Sequence, residues 1–182
     1  MRYAALLLPL LLSACAVLES EEPLFGANLI AEARPAEGLW AMLEDDACPL
    51  PTSADLSRWP DCATPLQVSA GSVRYLGPNP QVSRRPVGWL IARGDPLIVQ
   101  VTSESGRSSY GWMRAQGGPA DFRRARLAAL YCPGAEADVA GVRLVADDGC
   151  RAETRGAVRR AAALQVGEGA PAVWIAPAAI SR

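Results

Sequence analysis

The sequence predicts an α+β domain, consisting mainly of an antiparallel β-sheet arranged as a meander, with one helix in its C-terminal region and two disulfides. Short runs rich in β-branched and aromatic residues, separated by turn residues, predict the strands. Residues 152–165 are the clearest stretch with apolar residues at helical spacing. Four cysteines beyond the N-terminal segment predict the disulfides.

The central segment gives the clearest strand pattern. Two β-rich runs, 87–92 and 96–102, flank hairpin-turn residues at 93–95. In the second run Leu97, Val99 and Val101 alternate onto one face, as expected for a sheet with one face packed on a core. The strands predicted in chain order are 39–43, 66–68, 72–76, 87–92, 96–102, 109–114 and 172–175.

Two segments are less regular in sequence. Residues 44–65 contain five acidic residues and four prolines, and we expect an irregular loop there. Residues 122–132 have a helix-friendly composition, but their larger residues alternate with smaller ones. Both helix and strand remain open for this second segment.

The predicted helix, 152–165, has an apolar face and a basic face. Gly167 and Gly169 follow its end. Arg151, Arg155 and Arg159 lie on the basic face, which predicts either a solvated surface or a basic patch for an anionic glycan, an anionic lipid or an envelope protein. The apolar residues at helical spacing are Ala157, Val158, Ala161, Ala162 and Leu164, and all of these except Ala162 are expected to pack on the sheet.

Composition excludes several chemistries. The 182 residues suffice for one domain, and the formal net charge is −1. All 18 basic residues are arginine, and the chain has no histidine. Without histidine there is no Ser-His-Asp or Cys-His pair and no histidine-ligated metal, and without lysine there is no Schiff base or P-loop lysine. We therefore expect no nucleic-acid partner, no cofactor, no metal and no catalytic residue.

The N-terminus has the pattern of an export signal. Residues 4–12 form an apolar run that is too short to span a bilayer, which needs about 20 residues. The following Leu12-Ser13-Ala14-Cys15 resembles the lipobox of bacterial lipoproteins. This resemblance implies cleavage before Cys15, acylation of Cys15, and a lipid anchor in the membrane. It also implies the periplasmic face of the outer membrane, because Ala16 rather than an aspartate follows the cysteine.

The chain then divides into three parts. Residues 1–14 are the predicted lipoprotein signal peptide, 15–23 a lipidated tether that is acidic and ends in a proline, and 24–182 a single disulfide-stapled globular domain. In its high alanine content and its use of arginine without lysine, the globular part is similar to uncharacterised proteobacterial lipoproteins.

The four remaining cysteines are Cys48, Cys62, Cys132 and Cys150. Export places them in an oxidising compartment, so an even number predicts two disulfides, for which three connectivities exist. We favour the local pairs Cys48–Cys62 and Cys132–Cys150, because all four lie in loop-like surroundings. A four-cysteine zinc site is the alternative, but neither pair has the short spacing of zinc ligands.

Two functions from different classes remain. The preferred one is a lipid-anchored periplasmic domain that binds or scaffolds an envelope component without catalysis. The alternative is a carboxylate-based envelope hydrolase acting, for example, on glycan, with the acidic groups at 44–46 and 147–148 as candidate carboxylates. The tryptophans either pack in the core or line a ligand cleft; four of the five lie in predicted strands, namely Trp40, Trp89, Trp112 and Trp174.

Overall fold

The computed structural model describes residues 16–77, 86–117, 121–133, 138–145, 149–167 and 169–177. Within these ranges the chain forms eleven strands and one α-helix. The elements are β1 (Leu18–Ser20), β2 (Gly38–Leu43), β3 (Ala63–Ser69), β4 (Ser72–Tyr75), β5 (Val87–Ala92), β6 (Leu97–Thr102), β7 (Ser108–Gln116), β8 (Arg124–Ala129), β9 (Val142–Val145), β10 (Gly149–Ala152), α1 (Arg155–Gln165) and β11 (Ala170–Ala176).

Eight of the strands form a closed sheet. Strands β2 to β8 follow one another as antiparallel neighbours, and β11 lies between β8 and β2 and pairs antiparallel with both. The predicted antiparallel meander is therefore confirmed, and the segment left open at 122–132 contains strand β8. Closure gives the sheet an inner face and an outer face, and it removes the free edges of these eight strands.

A three-stranded extension is attached to the closed sheet. Strand β1 pairs antiparallel with the start of β7 and parallel with β10, and β10 forms an antiparallel pair with β9. Leu18 of β1 is fully buried. The tether predicted for 15–23 is therefore wrong for Leu18–Ser20, which are part of the sheet. The parallel partner of β1 lies some 130 residues later in the chain, so no local sequence pattern predicts the pairing.

Helix α1 covers part of the outer face. It begins after Thr154, whose side-chain oxygen accepts a hydrogen bond from the Ala157 amide at 3.1 Å and so caps the helix. Ala157, Val158 and Ala161 are fully buried, as predicted, and so is Ala162. The predicted start at 152 is wrong, because Ala152 belongs to β10. Leu164 is 65% exposed, against the prediction that it packs on the sheet, because the last turn projects it into solvent.

Both disulfides join the predicted local pairs. Cys48–Cys62 has a Cα–Cα distance of 5.9 Å and Cys132–Cys150 one of 5.5 Å. The first holds the irregular loop after β2 against the outer face, where Ala41, Leu43 and Ala63 are buried with Cys48. The second joins the segment after β8 to strand β10.

In the described part of the chain, the structure has no helix that is both long and apolar enough to cross a membrane.

Candidate functional site

The inner face of the closed sheet is apolar around its whole circumference. Alternation directs every second residue of a strand to this face, so Leu97, Val99 and Val101 of β6 point inward, as predicted from the sequence. On the neighbouring strand β7, Met113 pairs with Leu97 and points to the same side. The inside of the closed sheet is therefore a hydrophobic core built from single residues of many strands.

This interior is not completely filled. It contains a cavity of about 100 Å³, and no charged side chain lines it. The lining residues are Pro35, Trp40, Met42, Leu66, Val68, Val73, Tyr75, Trp89, Val99, Val101, Met113, Phe122, Ala125, Leu127 and Ala172.

Two aromatic rings form a fixed wall of the cavity. The rings of Trp40 and Phe122 meet edge to face, with centroids 6.1 Å apart, and both side chains are buried. The indole N–H of Trp40 donates to the Ala36 carbonyl oxygen at 2.7 Å, which satisfies its polar atom outside the apolar space. The cavity wall is therefore rigid at this side, while Met42 and Met113 supply flexible side chains elsewhere.

A second, more polar space adjoins the cavity. Its volume is about 360 Å³, and it shares Pro35, Val68 and Trp89 with the lining of the inner cavity. We call this space the mouth. Its lining includes the turn between β3 and β4 and three charged residues, Arg34, Glu37 and Asp121, all of which are exposed.

The segment that precedes β2 forms one wall of the mouth and is held at both ends. The Ala31 amide donates to the Ile91 carbonyl oxygen at 2.8 Å. Five residues later the Ala36 amide donates to the Phe122 carbonyl oxygen at 2.9 Å, and the Phe122 amide donates to the Arg34 carbonyl oxygen at 3.0 Å. These backbone hydrogen bonds fix the backbone positions of Arg34 and Glu37 at the mouth.

Described acidic side chains lie away from the inner cavity. Within the described ranges every Asp and Glu is exposed except Glu19, which is half-buried, and none lines the inner cavity. Of the predicted carboxylate groups, Asp45 accepts hydrogen bonds from the Ala47 and Cys48 amides and Asp46 pairs with Arg126. The other group, 147–148, lies outside the described residues. The described part of the chain contains no group of three or more His, Cys, Asp or Glu residues that could hold a metal ion.

The three predicted patch arginines do not lie on one helix face. Arg151 belongs to β10, not to the helix, and pairs with Glu21. Arg159 donates to the Arg93 carbonyl oxygen at 2.6 Å and lies over the Phe25 ring at 5.6 Å. Arg155 is exposed at the first position of the helix. The predicted lipidation site, Cys15, lies outside the described residues.

The tryptophans divide between the two interpretations that the sequence left open. All four that were predicted in strands lie in strands; Trp40 and Trp89 line the cavity, whereas Trp112 is buried on the outer face. The cavity itself was not predicted from the sequence. Its signal was the alternation of apolar residues in several strands, but an alternating pattern does not reveal whether the sheet closes.

The chain was compared with known proteins at three levels. No family model matches it, and neither a curated protein nor a solved structure does.

Proposed function

We propose that the protein is a non-catalytic binding domain of the cell envelope, anchored to the membrane by a lipid on Cys15, and that its ligand lies inside the closed sheet. The observation that carries the proposal is the apolar cavity inside the closed sheet, which shares the wall residues Pro35, Val68 and Trp89 with the adjacent mouth.

The size and lining of the two spaces support binding of a small molecule. Ligand sites are concave, mostly apolar, and have volumes of roughly 300–1,000 Å³, with a few polar groups that orient the ligand. The mouth alone, at about 360 Å³, reaches this range, and the inner cavity adds an apolar end. A closed sheet of about eight strands has an interior wide enough to hold one small ligand.

The placement of the carboxylates favours binding over hydrolysis. A glycosidase requires two carboxyl groups at a fixed separation, one of them with a raised pKa from burial. The described acids are exposed apart from the half-buried Glu19, and none of them lines the inner cavity. Among the described residues, no observation favours the hydrolase alternative.

The start of the fold supports a position close to the membrane. The Ala16 carbonyl oxygen accepts a hydrogen bond from the Cys132 amide at 2.8 Å, and Val17 pairs with Tyr131. A lipid on Cys15 would then be attached directly to the folded domain, without a flexible tether. Such a domain stays next to the bilayer, on the periplasmic face of the outer membrane according to the lipobox and Ala16, where its partners are the membrane itself and envelope components.

The anchor is tested in cells with the full chain. Replacing Cys15 with Ser removes the acylated atom, so the product should be unprocessed or soluble and should leave the membrane fraction. Cys48→Ser serves as a control, because it removes a cysteine without touching the lipobox. Unchanged membrane association of Cys15→Ser would contradict the anchor.

The binding function is tested with the chain from Ala16 onward, which contains every described element. After incubation with an extract of bacterial envelope lipids and gel filtration, native mass spectrometry should show a bound small molecule. Ala172→Leu extends a side chain into the cavity and should lower the fraction of the protein that carries the bound mass. Val173→Leu enlarges the next side chain of β11, which does not line the cavity, and should retain it. Absence of any bound mass, or equal binding by Ala172→Leu, would contradict the proposed function.

A further inference from the structure

We infer that the ligand is a single-chain amphiphile, with its aliphatic chain in the inner cavity and an uncharged or zwitterionic polar end at the mouth. This inference rests on the proposed function and names the class of ligand for the same site.

The volume of the inner cavity selects a narrow apolar group. At about 100 Å³ it is smaller than the roughly 150 Å³ of a cavity that accepts benzene. One aliphatic chain fits such a space better than an aromatic ring or a pair of chains. The side chains of Met42 and Met113 line the space and can adjust to a chain, because thioether side chains are flexible and polarisable.

The adjacency of the two spaces favours an amphiphile. Val68 and Trp89 line both the inner cavity and the mouth, so the two spaces are neighbours at these side chains, and a ligand with its aliphatic chain in the cavity would have its other end beside the mouth. There the surroundings change from almost entirely apolar to mixed, with exposed charged side chains and the turn at Ser69–Gly71 beside apolar residues. A purely apolar ligand would leave its outer end against these polar groups, whereas a polar end group can hydrogen-bond to them.

The charges at the mouth disfavour an anionic end group. The mouth has one guanidinium, on Arg34, and two carboxylates, on Glu37 and Asp121. Its local net charge is therefore −1 from these three groups, and it repels a carboxylate or sulfate. An uncharged head group avoids this repulsion. A zwitterionic head group can place its negative charge near the guanidinium and its positive charge near the carboxylates.

The chain-length dependence of affinity tests the position of the aliphatic chain. We expect isothermal titration of the chain from Ala16 onward with alkyl phosphocholines and 1-alkanols, below their aggregation concentrations, to show about fourfold tighter binding per added methylene. The gain should stop when the cavity is full. Alkanoates of the same length should bind several-fold more weakly at pH 7.

Cavity variants separate binding inside the sheet from binding to the surface. Ala172→Leu should shorten the chain length at which the gain stops, and Met113→Ala should lengthen it, while Val173→Leu should leave it where it is. A change in protein stability alone would not move this length in opposite directions. A gain that continues without limit, and that none of these variants alters, would overturn both the inference and the proposed function.

Variants at the mouth test the polar end of the ligand. Glu37→Gln combined with Asp121→Asn should remove the disadvantage of the alkanoates. Glu32→Gln is the matched control, because Glu32 is exposed on the same segment but does not line the mouth, and the disadvantage should persist. If alkanoates bind as tightly as alkanols to the unaltered protein, the assignment of the head group is wrong. If simple alkanes bind as tightly as alkanols, the ligand is apolar and not an amphiphile, while the proposed binding function survives.

Discussion

The two faces of strands β6 and β7 differ in how they are covered. On the outer face Ile98, Tyr110 and Trp112 are almost fully buried beneath α1 and the segment that follows β1. On the inner face Val99 and Met113 of the same strands line a cavity. Among the described residues, the same two strands thus support a core without such a cavity on one side and a core that contains a cavity of about 100 Å³ on the other. This difference supports the proposal that the inner face holds a ligand.

Polar bonds fix the layer that covers the outer face. The buried Gln100 side chain accepts from the Phe25 amide at 2.9 Å and donates to the Phe25 carbonyl oxygen at 3.2 Å. The hydroxyls of Ser20 and Tyr110 lie 2.5 Å apart. Burial raises the pKa of Tyr110, although its hydrogen bonds with Ser20 and Leu24 oppose the shift, so the phenol stays protonated at neutral pH. A misplaced segment would leave these buried groups without partners, and this cost holds the segment in register.

The largest expected effect is the loss of the central side chain of the outer core. Trp112→Ala should lower the free energy of unfolding by about 3–5 kcal/mol, because it removes a fully buried indole. Urea unfolding measures the effect. Trp89→Ala should cost less, since Trp89 is half-buried beside a space that is already empty. Equal losses for the two variants would contradict the contrast between the faces.

Enlarging one alanine on each face sharpens the same contrast. Ala161→Leu should cost about 1–3 kcal/mol, because Ala161 is fully buried between the helix and the sheet. Ala172→Leu should cost less than about 1 kcal/mol, because its new atoms enter an apolar cavity and gain contacts there. Thermal unfolding of both variants checks the order. A greater cost for Ala172→Leu would mean that the inner face is as tightly packed as the outer one.

The smallest effects are expected for the helix arginines. Arg159→Gln should cost about 0.5–1 kcal/mol, because the guanidinium lies over the Phe25 ring. Arg155→Gln should change the free energy of unfolding by less than about 0.5 kcal/mol, because its side chain is exposed. Denaturant unfolding of the two single variants compares them. The reverse order would show that Arg155, rather than Arg159, supports the outer layer.

The sequence predicted the parts of the fold that depend on local patterns. Alternation in 96–102 predicted strand β6, and the turn residues at 93–95 predicted the hairpin of β5 and β6. The loop-like surroundings of the four cysteines favoured the two local disulfides, and the structure confirms all of these predictions. The start of the helix could also have been predicted, because Thr154 is a preferred capping residue. The exposure of Leu164 could not be predicted, since periodicity identifies a helix face but not where the opposing surface ends.

What the sequence did not predict depends on contacts between distant residues. The closure of the sheet requires β11 to pair with β2. The pairing of β1 with β10 also joins strands that are separated by most of the chain. The cavity exists only because the sheet closes, and its lining comes from many separate segments. No single stretch of sequence therefore contains the candidate site. The tryptophans suggested a ligand cleft, but only as an alternative to packing in the core.

The central claim, that the inner face binds a ligand, is tested most directly by the methyl groups of methionine. The chain has three methionines; Met42 and Met113 line the cavity, and Met1 precedes the folded part. In the chain from Ala16 onward, selective methyl labelling therefore gives two reporters inside the closed sheet. With an alkyl phosphocholine bound, nuclear Overhauser effects should join its alkyl chain to both methyl groups. Contacts to exposed residues such as Leu144 and Leu164, with none to Met42 or Met113, would contradict the account.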